Sequence, residues 1–167
     1  MLDRSTNPAF HSILTKKCLL DKELNKAYSQ SRNMIPVNLT AVVVSAVAAM
    51  GVGFLWYSET VFGKRWMRLE GLDKNKPDKS GMAGKFGLMF ATTLISAYIL
   101  SLFIHYAGAT GWILGAKTGL WAWLGFVMPA GLGNHLFSRK PFELFLVQTG
   151  HHLTGLLVIG AVLGAWR

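Results

Sequence analysis

The sequence holds a single cysteine, Cys18, in 167 residues. A disulfide framework and a thiolate metal cage both need more sulfur than one chain offers, so neither is expected, and no metal site is predicted. Charge is scarce as well. Asp, Glu, Lys and Arg make up 15% of the residues, against roughly 25% in an average globular chain. The scarcity is concentrated. From Val37 to Tyr57, Phe86 to Tyr106, Leu120 to Phe137 and Leu144 to Trp166 there is no charged residue. Each run has about the length an α-helix needs to cross ~30 Å of hydrocarbon. None shows the polar stripe at 3.6-residue spacing that marks a soluble core helix. The runs predict an integral membrane protein. Acidic residues are the rarer charge, 8 against 17 Lys and Arg, for a formal net charge of +9. The basic residues stand before and between the apolar runs, where anionic lipids and the positive-inside rule place them. Membrane lipids, including anionic ones, are therefore the expected partners, and nucleic acid is not.

The predicted organisation is all-α: an integral membrane four-helix bundle of two transmembrane hairpins, preceded by a polar N-terminal extension. Residues 1–33 form the basic extension, and residues 34–167 the membrane domain, with spans over about 36–57, 86–107, 112–137 and 142–166. The extension does not read as a secretory signal, because its polar lead is long and lacks a small-residue cleavage pattern near Val37. Ile13, Leu14, Cys18, Leu19, Leu20 and Leu24 predict a short amphipathic helix over Ser12–Tyr28. An unfolded leader is the competing expectation. Pro36 fits the first turn of the opening span, where its missing N–H costs nothing. Pro129 predicts a kink inside the third span. The Ser58–Lys85 loop carries seven basic residues and the Arg139–Lys140 turn two, against Lys117 and Arg167 opposite once the extension is set aside. That asymmetry places the loop inside.

Gly53-Phe54-Leu55-Trp56-Tyr57, Phe62-Gly63-Lys64 and Trp66-Met67 follow one another around the end of the first span. Trp123-Leu124-Gly125-Phe126 and the ending Gly160-Ala161-Val162-Leu163-Gly164-Ala165-Trp166 come later. In this order the motifs resemble the domain of unknown function 1761 family, over about Met34 to Arg167. The resemblance implies a small four-helix membrane protein and supplies no reaction. Members usually begin near the first span, so Met1–Asn33 reads as an added segment or an upstream start. They often carry Gly-Pro after Trp-Tyr, where this chain has Ser58-Glu59.

His151 lies nine residues into the fourth span, about 13 Å deep at 1.5 Å per residue. A polar side chain at that depth must face protein or water. Gln148, His151 and His152 therefore form a candidate midplane polar group, for interhelical hydrogen bonding, a proton relay, or a single haem or pigment contact at His151. No cofactor is otherwise expected. Glu59, Asn134, His135, Arg139, Lys140 and Glu143 fall at one membrane face as a candidate interfacial cluster, with Glu59 or Glu143 expected to pair with Arg139 or Lys140. No catalytic set is visible, since no nucleophile stands beside an oriented base. Trp112, Trp121 and Trp123 read as an interfacial aromatic belt. Small residues at i, i+4 spacing suit close helix packing: Ser45, Ala49 and Gly53, then Gly111, Gly115 and Gly119, then Gly160 and Gly164. The last pair is the face expected to meet another subunit.

These features predict a non-enzymatic accessory subunit of a larger membrane complex, with other membrane subunits or further copies of itself as partners. The alternative is a small homo-oligomeric transporter or channel using the Gln148–His151–His152 group. A mitochondrial inner membrane and a bacterial plasma membrane fit the physics equally.

Overall fold

A computed structural model describes residues 8–32, 37–72 and 81–166. Pro36, Arg167, Lys74, Lys76, Lys79 and the start of the extension lie outside the described residues. The chain divides into two units, Met1–Pro36 and Val37–Arg167. Among the described residues every element is helical.

The first unit contains one helix, α1 (Pro8–Arg32). It is longer at both ends than the expected Ser12–Tyr28 helix. Leu19, Leu20 and Leu24 on it are exposed.

The second unit comprises α2 (Leu39–Trp56), α3 (Gly63–Glu70), α4 (Met82–Tyr106), α5 (Trp112–Ala122), a π-helical turn (Trp123–Val127), α6 (Met128–Ser138) and α7 (Phe142–Ala165). The helix α2 opens on Asn38, whose side chain accepts the Ala41 N–H at 3.1 Å. That bond satisfies one of the orphan donors of the first turn. The start of α7 follows Pro141, with Glu143 in the first turn, where a carboxylate suits the positive end of the helix dipole. Among the described residues three helices are long and apolar enough to cross a membrane: α2, α4 and α7. Hydroxyls inside α4 bond their own helix, Thr93 to Met89 O at 2.8 Å and Ser96 to Thr92 O at 3.0 Å. Such back-bonding leaves no hydroxyl donor bare in an apolar run.

The third expected span is not one uninterrupted α-helix. The π turn divides it just ahead of Pro129. Proline has no N–H to give the carbonyl four residues back, and its ring crowds that carbonyl. A widened turn upstream takes up the conflict, so the predicted kink appears as a π turn.

At the centre lies α7, which packs against α2, α4, α5, α6 and α3. The core is made mostly of small side chains. Ala41, Ala46, Ala49 and Ala97 are buried alongside Val42, Leu100, Ile104, Ile159 and Leu163. Ser45 is fully enclosed and donates to Val42 O at 2.8 Å.

Between α2 and α3 the chain reverses tightly. The Gly63 N–H donates to Ser58 O at 2.8 Å, and a Cβ at residue 63 would overlap the Tyr57 and Ser58 carbonyls. Only glycine fits there, which gives the Phe62-Gly63-Lys64 motif a steric reason.

Candidate functional site

The site begins with how closely α5 lies on α7. A Cβ on Gly115 would overlap Gly160 O, and one on Gly119 would overlap Leu156 O. Reciprocally, Gly160 faces Gly115 O, and the Gly111 N–H donates to Gly164 O at 2.9 Å. The Gly160–Gly164 face, expected to meet another subunit, is filled by α5 of the same chain. The two glycine stripes are complementary, and backbone-to-backbone approach maximises dispersion contact. Likewise the Ser45–Ala49–Gly53 face is buried within the chain, with Gly53 against the His151 ring of α7.

Beyond the π turn the intimacy ends. Trp123, the first residue of that turn, donates its indole N–H to Thr149 O at 2.9 Å. After it, α6 touches α7 sparsely, chiefly where Gly131 lies beside Phe145 and Thr149. Between the two helices a cleft of about 660 Å³ opens. Phe126 of the π turn and Ala130, Asn134 and Ser138 of α6 line it at i, i+4 spacing, with His135 on the neighbouring stripe. Leu144, Gln148 and His152 line it at the same spacing from α7, and Glu70 enters from α3. The π turn thus separates a glycine-sealed half of the helix pair from an open half.

The polar groups of the cleft form a linked set at its rim. The Glu70 carboxylate accepts from Lys140 Nζ at 2.9 Å and from Gln148 Nε2 at 3.0 Å. Both of its oxygens are thereby engaged, and α3 is tied to the start and the second turn of α7. A second tie joins Arg65 to Glu143, and Lys64 pairs with Glu59 at 3.8 Å. These ion pairs correct the expected ones. Glu59 and Glu143 are taken by cations of α3, and Lys140 by Glu70, because α3 folds back beside the 139–141 turn. Arg139 is exposed, with φ +53. Asn134, His135 and His152 line the cleft, and their side chains hydrogen-bond no other described residue.

Of Gln148, His151 and His152, the two histidine rings lie 5.3 Å apart between centroids, but the three side chains are directed to different neighbours. Gln148 and His152 face the cleft, whereas His151 turns to α2 and is buried. Its ring centroid lies 5.0 Å from that of Tyr57 and 6.4 Å from that of Trp56. A Cβ placed on Gly53 would stand 3.0 Å from its Nε2. That enclosure leaves no space at Nε2 for the plane of a haem or pigment. Trp56, expected as an interfacial anchor, donates its indole N–H to Val147 O at 3.1 Å. Tyr57, immediately past α2, stacks edge-on against Trp66 at 5.3 Å. Burial, aided by the Glu70 carboxylate, pushes its phenol pKa above the ordinary value. Trp112 and Trp121 are exposed as a belt would require, but Trp123 is half-buried against α7.

Glu70 is the site residue that sequence reading missed. It lies in the Ser58–Lys85 segment, which the sequence presents as a basic loop. The available signal was Gly63–Glu70 itself, a short stretch with Lys64 and Arg68 on one side and Trp66 and Met67 on the other, where Glu70 falls four residues after Trp66. Among the described residues no three His, Cys, Asp or Glu converge as a metal would need. What the cleft offers is hydrogen bonding by Asn134, His135 and His152, beside the apolar walls of Phe126, Val127, Leu144 and Phe145.

Neither a curated protein nor a solved structure matches the sequence. The family model described as "Protein of unknown function (DUF1761)" matches residues 40–164, from the second residue of α2 to the last turn of α7. The motifs at the α2–α3 turn and in the glycine face of α7 thus lie inside one matched domain, and the chain belongs to the DUF1761 family.

Proposed function

We propose that this is an integral membrane protein of four spans that binds a small molecule in the α6–α7 cleft, as a carrier or binding protein without covalent chemistry. In this reading the broken helix 112–138 is the fourth span, and the bundle stands as two hairpins. The observation that carries the reading is the convergence of Asn134, His135, Gln148 and His152 on one cleft within otherwise apolar helices. Gln148 and His152 stand inside α7, and polar side chains within a span are expensive and serve a site or a path. The packing faces that favoured an accessory subunit are used up inside the chain, which shifts support towards the solute-binding reading. No oriented nucleophile–base pair accompanies the cleft, and the carboxylate of Glu70 is already engaged at both oxygens. A mitochondrial inner membrane or a bacterial plasma membrane would suit it.

Single-cysteine labelling tests the proposal. In a Cys18→Ser background, cysteines at Asn134 and Ser138 should react with a membrane-impermeant maleimide from one side of sealed vesicles only. A cysteine at the buried Val147 should not react. Labelling of residues 134 and 138 from neither side, or equally from both, would remove the one-sided cleft.

A second reading, an accessory subunit of a larger complex, is favoured by α1, whose Leu19, Leu20 and Leu24 are uncovered beside Lys16, Lys17, Lys22 and Lys26. Deleting Met1–Asn33 should then weaken co-purification with companion proteins, and unchanged recovery would count against it.

A further inference from the structure

We infer that the cleft takes a neutral, ring-headed amphiphile dissolved in the bilayer, with the chemistry of a quinone head on an aliphatic tail. The inference rests on the proposed membrane-embedded binding cleft and adds the class of its ligand.

Charge decides the first half of the argument. One ammonium and one carboxylate line the cleft, Lys140 and Glu70, and they neutralise each other at 2.9 Å. The second Glu70 oxygen accepts from Gln148 at 3.0 Å. A bare anion would have to strip Lys140 from Glu70, and a bare cation would have to strip Glu70 from both of its donors. With these pairs made, neither an anion nor a cation finds an unpaired counter-charge among the residues lining the cleft. The groups left over are amide and imidazole: the side chains of Asn134, His135 and His152, none hydrogen-bonded to another described residue. They offer donors and acceptors in the same small space. Carbonyl and hydroxyl oxygens on an uncharged head suit them.

Shape decides the second half. The walls between the polar positions are apolar or aromatic, from Phe126, Val127, Leu144 and Phe145. Phe145 stacks with His135 at 5.5 Å between centroids, so a flat head finds ring faces as well as polar atoms. Phe126 of the π turn and Ala130 and Asn134 of α6 are exposed along one side. The cleft is thus open along the helix, level with the apolar runs, where a tail can remain in hydrocarbon while the head enters.

The test uses the full-length protein in detergent and three probes with one tail and different heads: decylubiquinone, decyl phosphate and decyltrimethylammonium. Quenching or perturbation of intrinsic tryptophan fluorescence reads binding, since Trp123 is hydrogen-bonded to Thr149, which lines the cleft. Decylubiquinone should bind saturably. Asn134→Leu and His152→Leu should each weaken it about tenfold, the worth of one hydrogen bond at such a site. Thr118→Val, on the outer side of α5, should leave binding unchanged. Ala130→Leu, which adds bulk at the mouth and removes no polar group, should also weaken binding, so the result does not depend on the polar variants folding. Saturable binding of decyl phosphate or decyltrimethylammonium in preference to the quinone would overturn the ligand class and leave the cleft a binding site. Quenching by all three that never saturates, or that no cleft variant alters, would overturn the class and the binding reading together.

Discussion

Gly115 and Gly160 meet backbone to backbone, so that a Cβ on either would overlap the carbonyl oxygen of the other. This contact, repeated at Gly119 against Leu156 and at Gly164 against Gly111, holds α5 on α7 up to the π turn. Everything that distinguishes the cleft follows from where that contact stops.

Gly115→Ala should therefore destabilise the protein, by about 1–3 kcal/mol or more, the usual cost of forcing atoms into a packed interface. Backbone, not a flexible side chain, is what the methyl meets. Gly87→Ala, on α4 with open space around it, should be neutral or slightly stabilising, because alanine is the better helix former. Thermal unfolding of both variants in the same detergent checks the contrast; equal midpoints would sink the packing argument.

Gly53 and His151 form a second close pair. Gly53→Ala places a methyl 3.0 Å from His151 Nε2, so the ring must tilt away from Tyr57, at a cost of roughly 1 kcal/mol. In His151→Ala the same methyl should cost nothing. A double-mutant cycle should give a coupling of about 0.5–3 kcal/mol, and additive effects would mean the two residues are independent.

Glu70 ties α3 to α7 through Lys140 and Gln148. Because Lys140 is well exposed, its pairing should add little to global stability, under about 1 kcal/mol. The local effect should be larger. In Glu70→Ala, amide hydrogens of residues 63–72 should exchange faster while those of the α7 centre keep their protection. Unchanged exchange in α3 would show that Arg65–Glu143 and the aromatic contacts hold the helix by themselves.

Pro129 is the physical cause assigned to the π turn. Pro129→Ala restores a donor N–H and removes the ring, so the turn should relax to α-helix and rotate α6 by about one residue, near 100°. Cysteine reactivity should then move from residues 134 and 138 to their neighbours. An unaltered pattern would locate the cause of the turn elsewhere, with the Trp123–Thr149 bond the next suspect.

The sequence by itself determined the helices. Uncharged runs of some 20 residues leave the backbone no better way to satisfy its hydrogen bonds than helix, and charges, Gly and Pro at their borders end them. The Gly160–Gly164 pair was legible as a place of close approach, and with Phe62-Gly63-Lys64 and the other motifs it pointed to the family. Partner choice was not legible. Small residues at i, i+4 spacing say that a backbone comes near and do not say whose, so Gly160–Gly164 was assigned outward and turned out to face α5. Proline announced a break at 129 without its geometry, and the π turn decides which stripe of α6 faces α7. Side-chain pairing depended on the path of α3, eight residues whose return to the 139–141 turn no local pattern encodes. That return delivers Glu70 to Lys140 and Gln148 and gives Arg65, not Arg139, to Glu143. Three polar residues close in sequence, Gln148, His151 and His152, were directed to different neighbours by the helix itself. A 3.6-residue period sends His151 to Gly53 and the other two to the cleft, and only packing on both sides of α7 could show what each would meet.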